Sequence, residues 1–281
     1  MLPIPGLRGT RGDMGDGVMR STVGIGLLFP DLLGTYGDGG NALVLQKRLA
    51  WRGIEAEIVA IDAGDPVPES CDIYLLGGGE DAPQTEAARE LGTSGPLHRA
   101  VDRGAVVLAV CAGMQIVGHR FPGGDGGPVG GLGLLDCETV RTGEPRAVGE
   151  LVIDPEPGLG LGRLTGFENH GGRTRLGPES TSLGPVAAGV GNGDGTEGVV
   201  NRDPARGRVV GTYLHGPALA RNPQLADLLL GWVLGVDPST LAPLDDHEAD
   251  LLRADRFRAI EQGRLDGVAH RSLRDRVLRR N

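Results

Sequence analysis

Four near-continuous apolar stretches constrain this chain most: VGIGLLF at 23–29, IEAEIVAID at 54–62, CDIYLL at 71–76 and AVVLAVC at 105–111. Most of their length lacks the period-two alternation of a strand with one wet face, so they suit strands covered on both sides. Helical segments separate them. NALVLQKRLAWRG (41–53) has Leu43, Leu45, Leu49 and Ala50 as its apolar side and Gly53 as its stop, and GPLHRAVDRG (95–104) closes at Gly104. This alternation predicts a parallel sheet with helices on both faces. From about residue 131 the pattern changes to GLGLLDCETV, GELVIDP, LTGFENHGG, GTEGVVN and VVGTYLHG. These short runs are expected to form a mixed or antiparallel extension of the same sheet. NPQLADLLLGWVLG (222–235) reads as a helix packed through its Leu and Trp residues.

A chain of 281 residues is long enough for one sizeable core. The boundaries expected are a disordered segment at 1–20, one α/β domain at 21–235, and a peripheral helix with a charged tail at 236–281. The net charge of −9 argues against nucleic acid as a partner. No apolar run approaches the roughly 20 residues that span a bilayer, and the first residues lack an apolar signal core, so no transmembrane segment and a cytoplasmic location are expected. The three cysteines have no CxxC spacing, and His98, His119, His247 and His270 have no ligand-like spacing, so no metal is expected. GIGLLF lacks the last glycine of a dinucleotide fingerprint, and no GxxxxGK[ST] occurs. No cofactor is therefore expected in this chain. With 50 glycines in the sequence, lone glycine patterns carry little weight.

The chemistry-bearing stretch is AVCAGMQ at 109–115. A strand stops at Cys111, between Ala109 and Gly113, and a helix-like segment follows. Small-x-nucleophile-x-Gly is the pattern of a nucleophile elbow, in which the new helix favours a thiolate and the N–H of Ala112 faces an oxyanion. A buried structural cysteine in a tight turn fits the same residues. LLGGGED (75–81) ends another strand in glycines and offers a second oxyanion donor at Gly79, or simply a flexible turn. GTYLHGP (211–217) puts His215 at a strand end, as a base for the thiol or as a structural histidine. GTYGDGGN (34–41), with Asp38, reads as a helix-capping loop that also suits an interface. His170 in ENHGG is either a turn histidine or a residue touching substrate or partner.

Elbow, glycine loop and strand-end histidine, in that order on a β/α chain, resemble the class I glutamine amidotransferases. The stretches LLFPDLLGTYGDGGNALVLQKRLAWRGIEAEIV, DIYLLGGGEDAPQ, CAGMQIVG, GLGLLD, LTGFENHGGRT and GTYLHGP resemble the branch shared by glutaminase subunits of lipid II isoglutaminyl synthase and cobyric acid synthase amidotransferase domains. They cover about residues 23–235. The resemblance implies a flavodoxin-like three-layer α/β sandwich and hydrolysis of L-glutamine. It implies Cys111 as nucleophile, His215 as base, Gly79 and Ala112 as oxyanion hole, Gln115 beside the substrate, and Arg146 on the substrate α-carboxylate. It also implies a Mur-ligase-like synthetase partner in a heterodimer, which holds ATP and Mg and brings the complex to the inner face of the membrane. The acceptor implied is the D-glutamate of the lipid II stem peptide. A corrinoid or other carboxylate acceptor, and a non-catalytic scaffold on the same fold, are the alternatives. One departure stands out: many members carry a glutamate two residues after the histidine, and here that position is Pro217. Glu168, Asp194 or a carboxylate of the partner is then needed as the third residue.

Overall fold

The computed structural model describes residues 22–34, 37–92 and 95–263. The segment at 1–20 and the end of the charged tail, 264–281, lie outside the described residues. In the first half, β1 (Thr22–Leu28) leads to α1 (Gly40–Ala50), β2 (Glu55–Ile61), β3 (Ile73–Leu76), α2 (Asp81–Leu91), α3 (Pro96–Asp102), β4 (Val106–Val110) and the short α4 (Ala112–Val117). Strands β5 (Arg120–Pro122), β6 (Pro128–Gly130), β7 (Cys137–Val140), β8 (Ala147–Ile153), β9 (Leu164–His170) and β10 (Arg173–Leu176) follow. Then come β11 (Ser180–Thr181), β12 (Gly184–Ala188), β13 (Thr196–Glu197), β14 (Val199–Asn201) and β15 (Arg208–Thr212), and finally α5 (Ala218–Arg221), α6 (Pro223–Leu234) and α7 (His247–Glu261).

The central sheet has seven strands in the order β11-β14-β15-β4-β3-β1-β2. Strands β2, β1, β3, β4 and β15 run parallel, and β14 and β11 join antiparallel. Every residue of β3 and β4 is buried, as expected of unbroken apolar runs in the middle of a covered sheet. The chain steps from β1 to β2 in one direction and from β3 through β4 to β15 in the other. Right-handed crossovers therefore place α1 on one face and α2, α3 and α4 on the other. Accordingly α1 packs with α5 and α6, and α2 packs with α4. This is the three-layer sandwich expected.

Two sequence expectations are corrected and one helix is added. The second half is not one extension of the sheet. Only β11, β14 and β15 join it, while β10-β7-β5-β6 and β13-β12-β8-β9 form two separate four-stranded sheets. The buried face of α1 is Asn41, Ala42, Leu45, Arg48 and Leu49, whereas Leu43 and Ala50 face outward. The reason is Arg48, whose guanidinium is buried but bonded to Asp227 on α6 and to Asp246 before α7. That ion pairing makes a charged residue part of the inward stripe and rotates the helix accordingly. Finally, α2 was unmarked in the sequence because its inward face, Gln84, Ala87, Ala88 and Leu91, is weakly apolar. Among the described residues no helix is long and apolar enough to cross a membrane.

The fold brings the ends of β1, β3, β4 and β15 to one edge, with the reversal of strand order between β1 and β3. Such an edge is where open α/β sheets bind ligands. The loop after β1 turns back across it, so that the carbonyl of Leu33 would lie 2.0 Å from a Cβ at Gly77, directly after β3. Gly77→Ala is expected to cost about 1–3 kcal/mol through overpacking. Thermal unfolding checks this against Gly162→Ala, where a methyl group meets nothing within 4 Å and the midpoint should hold.

Candidate active site

Cys111 lies between β4 and α4 with φ of 52° and ψ of −104°. A non-glycine residue at such φ is strained by about 1–3 kcal/mol and persists only where its surroundings fix it. Here they do. The Cys111 N–H donates to the carbonyl of Thr212 on β15 at 2.8 Å, and the Gly113 N–H donates to the carbonyl of Gly77 at 3.1 Å. Gly113 has no room for a side chain, because a Cβ would sit 2.7 Å from both Cβ and O of Leu76. The glycine two residues after Cys111 is thus a packing requirement of this turn. Cys71 and Cys137 are ordinary buried thiols that burial pushes up, Cys137 to about 12.

His215 follows β15 and is buried. Its backbone is fixed by a reciprocal pair of hydrogen bonds to Phe167 on β9, at 2.9 and 3.2 Å. Its Nδ1 lies 3.4 Å from Oδ2 of Asp38, on the loop that crosses from β1. Asp38 is itself buried and accepts the N–H of Gly78 at 2.8 Å through the same oxygen. Burial disfavours a charged imidazole, but hydrogen bonds to Asp38 and then to Cys111 outweigh it and push the His215 pKa up to about 9.

Asp38 is therefore the carboxylate beside the histidine, and the sequence reading of it as part of a helix cap is corrected. No side chain caps α1. Glu168 and Asp194 are both committed elsewhere. Glu168 accepts the N–H groups of Val190 and Gly191 at 2.8 and 2.9 Å, and Asp194 accepts from Thr196 in a tight turn. The signal in the sequence was the polar residue in GTYGDGGN, but nothing local told that this loop reaches the end of β15. Glu197 was also missed. Fully buried, it accepts the Thr212 hydroxyl at 2.9 Å and the Tyr213 N–H at 2.6 Å, bracing the strand end before His215. Burial pushes its pKa up to about 7.

Cys111 opens into a cavity of about 330 Å³ whose lining includes Gly79, Ala112, Gln115, Arg146 and His170. Ala112 is the first residue of α4, so its N–H has no acceptor within the helix. Gln115 accepts from Gln84 at 2.8 Å and donates to the Tyr213 hydroxyl at 3.3 Å, which makes it part of the cavity wall. Arg146, on the loop before β8, donates through Nε and Nη2 to the Asn169 side chain and carbonyl at 2.6 and 3.0 Å. The six residues singled out in the sequence thus gather on one site, with His215 beside Cys111 and the other four lining its cavity.

Residues 24–223 match the family of CobB/CobQ-like glutamine amidotransferase domains. The chain belongs to that family. It is 37% identical over 204 residues to the glutamine-hydrolysing subunit GatD of the lipid II isoglutaminyl synthase of Staphylococcus aureus, covering 71% of this chain and 79% of the relative. The GatD subunit of Streptococcus pneumoniae is 33% identical over 215 residues, covering 75% and 80%. Cobyric acid synthase of Rhodobacter capsulatus is 36% identical over 165 residues, 57% of this chain but 32% of that protein. A crystal structure of a glutamine amidotransferase shares the fold, with a TM-score of 0.52 and 23% identity over 75% of this chain and 99% of the other. The chain is a glutamine amidotransferase.

Two titrations check the electrostatics of this amidotransferase. His215 binds its proton more tightly folded than unfolded, so its contribution to stability is full below its ordinary pKa of 6.5 and is lost as the pH rises toward 9. Asp38→Asn is expected to lower the His215 midpoint, seen by NMR of the imidazole, and to shrink that loss. Glu197 is likewise raised from 4.5 to about 7, so it favours the fold below pH 4.5 and costs stability as the pH passes 7. Glu197→Gln should flatten the stability profile between those limits, measured by denaturant unfolding at several pH values.

Proposed function

We propose that this chain is the glutamine-hydrolysing subunit of a lipid II isoglutaminyl synthase. The observation that carries the chemistry is the strained Cys111 paired with His215, which Asp38 backs, at the head of a cavity that also holds Arg146. In this reading the Cys111 sulfur attacks the side-chain amide carbon of L-glutamine. The N–H groups of Gly79 and Ala112 hold the oxyanion. The imidazolium of His215 gives its proton to the departing nitrogen, ammonia leaves, and a γ-glutamyl thioester remains. Water activated by the now neutral His215 cleaves the thioester and releases glutamate. Asp38 keeps the imidazole oriented and favours its charged form. Arg146 holds the α-carboxylate in a two-pronged grip, which suits a planar guanidinium. Gln115 shapes the wall beside the substrate.

The acceptor side of the reading rests on the relatives. The chain matches four-fifths of the length of GatD subunits but only a third of cobyric acid synthase. The GatD matches also cover more of this chain, 71% and 75% against 57%, and on that ground lipid II is favoured over a corrinoid as acceptor. The partner is then a Mur-ligase-like synthetase that holds ATP and Mg, activates the D-glutamate α-carboxylate of the stem peptide as an acyl phosphate, and receives the ammonia. The complex works at the cytoplasmic face of the membrane. This chain contributes no cofactor.

The test is release of glutamate from L-glutamine by wild type and by Cys111→Ala, each with and without the synthetase partner. Wild-type turnover raised by the partner, and turnover at the uncatalysed level in the variant, are expected. Absence of wild-type turnover in both conditions would sink the proposal and leave a scaffold on an inherited fold.

A further inference from the structure

Several buried polar groups near β9 have no part in the chemistry above, yet they converge on one residue of the cavity rim. Glu168 and His170 point inward from the strand and are both buried. The His170 ring places Nε2 3.2 Å from Glu168 Oε2 and Nδ1 3.0 Å from the carbonyl of Gly172, and it stacks on Tyr213 with centroids 3.6 Å apart. The other bonds of Glu168, to the N–H groups of Val190 and Gly191, fasten the pair to a second loop. Both ring nitrogens thus face oxygen acceptors, and the turn at 170–172 is closed tightly on itself. Between the two buried residues stands Asn169, facing the opposite side of the strand, where it takes the Nε and Nη2 donors of Arg146. Behind that loop, Arg173 donates to Glu144, to the carbonyl of Pro145 and to the carbonyl of Gly172. The backbone that carries Arg146 is therefore stapled from behind, and Asn169 fixes the direction of the side chain.

We infer that Asn169 is the positioning residue that aims Arg146 at the α-carboxylate of glutamine, and that the buried Glu168–His170 pair holds Asn169 in place. This rests on the role given to Arg146 above. The geometry has a specific chemical consequence. Asn169 occupies the side edge of the guanidinium, Nε with Nη2, and so turns the end edge, Nη1 with Nη2, toward the cavity. That edge binds a carboxylate through two parallel N–H bonds. Without Asn169 the long arginine side chain regains its rotamer freedom, and binding of a free α-carboxylate weakens. The reacting amide, at the other end of the substrate, is untouched. Asn169 therefore sets the preference for the free amino acid over glutamine whose carboxylate is blocked.

The test uses the full-length chain and two substrates with the same reacting amide: L-glutamine and its α-amide, which lacks the carboxylate. Asn169→Ala is expected to raise KM for L-glutamine about tenfold, the size of one lost charged hydrogen bond, with kcat within about twofold. Both constants for the α-amide should stay at wild-type values. Equal losses on the two substrates, or a fall in kcat alone, overturn the inference. Arg146→Ala in parallel keeps the two readings apart. If it also fails to discriminate between the substrates, the role of Arg146 is wrong. If it discriminates and Asn169→Ala does not, Asn169 has no positioning role. Protection of Cys111 from iodoacetamide by L-glutamate gives the same comparison without turnover: the half-protecting concentration should rise about tenfold in Asn169→Ala, and an unchanged value overturns the inference.

Discussion

The backbone of Cys111 is the constraint on which the rest of this site depends. At φ of 52° the residue sits in a region that side chains avoid, and no local preference of the sequence would hold it there. It is held by hydrogen bonds from both flanks, one to β15 and one to the glycine loop after β3. Both bonds go to the middle of the central sheet, next to strands β3 and β4 that are buried throughout, so the strain is carried by a well-braced part of the fold. What the strain achieves is direction. It lifts the sulfur out of the sheet into the cavity and at the same moment starts a helix whose first N–H lies beside it. A cysteine in relaxed geometry at the same point of the chain would continue into the core, as Cys71 and Cys137 do.

The electrostatics follow from two segments that reach the elbow from far away in sequence. The loop after β1 delivers Asp38 to His215 by lying so close over the glycine loop that Gly77 and Gly79 have no space for side chains. Strand β9 delivers Phe167 to the backbone of His215 and Asn169 to Arg146. His215 and Arg146 therefore share one strand as a common reference, and two residues of β9 set where they stand relative to each other. Burial alone would leave His215 neutral. The carboxylate opposite it reverses that outcome, and the charge it favours is the one that stabilises a cysteine thiolate.

How far this was legible in the sequence depends on how local each feature is. The elbow could be read because its requirements, a strand end, a nucleophile and small flanks, occupy five consecutive residues. The parallel core could be read because β1, β3 and β4 are unbroken apolar runs. Asp38 could not, since its place depends on a contact with His215, 177 residues away, and the usual place for a third residue, after His215, holds a proline. The glycines of LLGGGED were noticed for a chemical reason, whereas the packing of Leu32 and Leu33 against them is what forbids a side chain. The orientation of α1 was misread because an arginine paired with two aspartates behaves as an inward residue. Arg146 was pointed to by resemblance, and Glu168 and His170 were noticed for other roles, but Asn169 gave no signal, because a hydrogen bond between residues 23 apart leaves no period in the chain.

The division of labour between the sheets has a further consequence for how such a chain changes substrate. In the proposed reading the reacting groups stand at the ends of β4 and β15, each paired with a strand on both sides. The arginine and its support stand on the appended antiparallel sheet, which meets the centre through the bridge between Phe167 and His215. Substitutions in the appended sheet can alter what is gripped while the elbow keeps its geometry. The exception is Phe167, whose backbone bonds hold His215 and couple the two sheets. In the proposed reading, substrate grip is thus the more easily changed property of this fold.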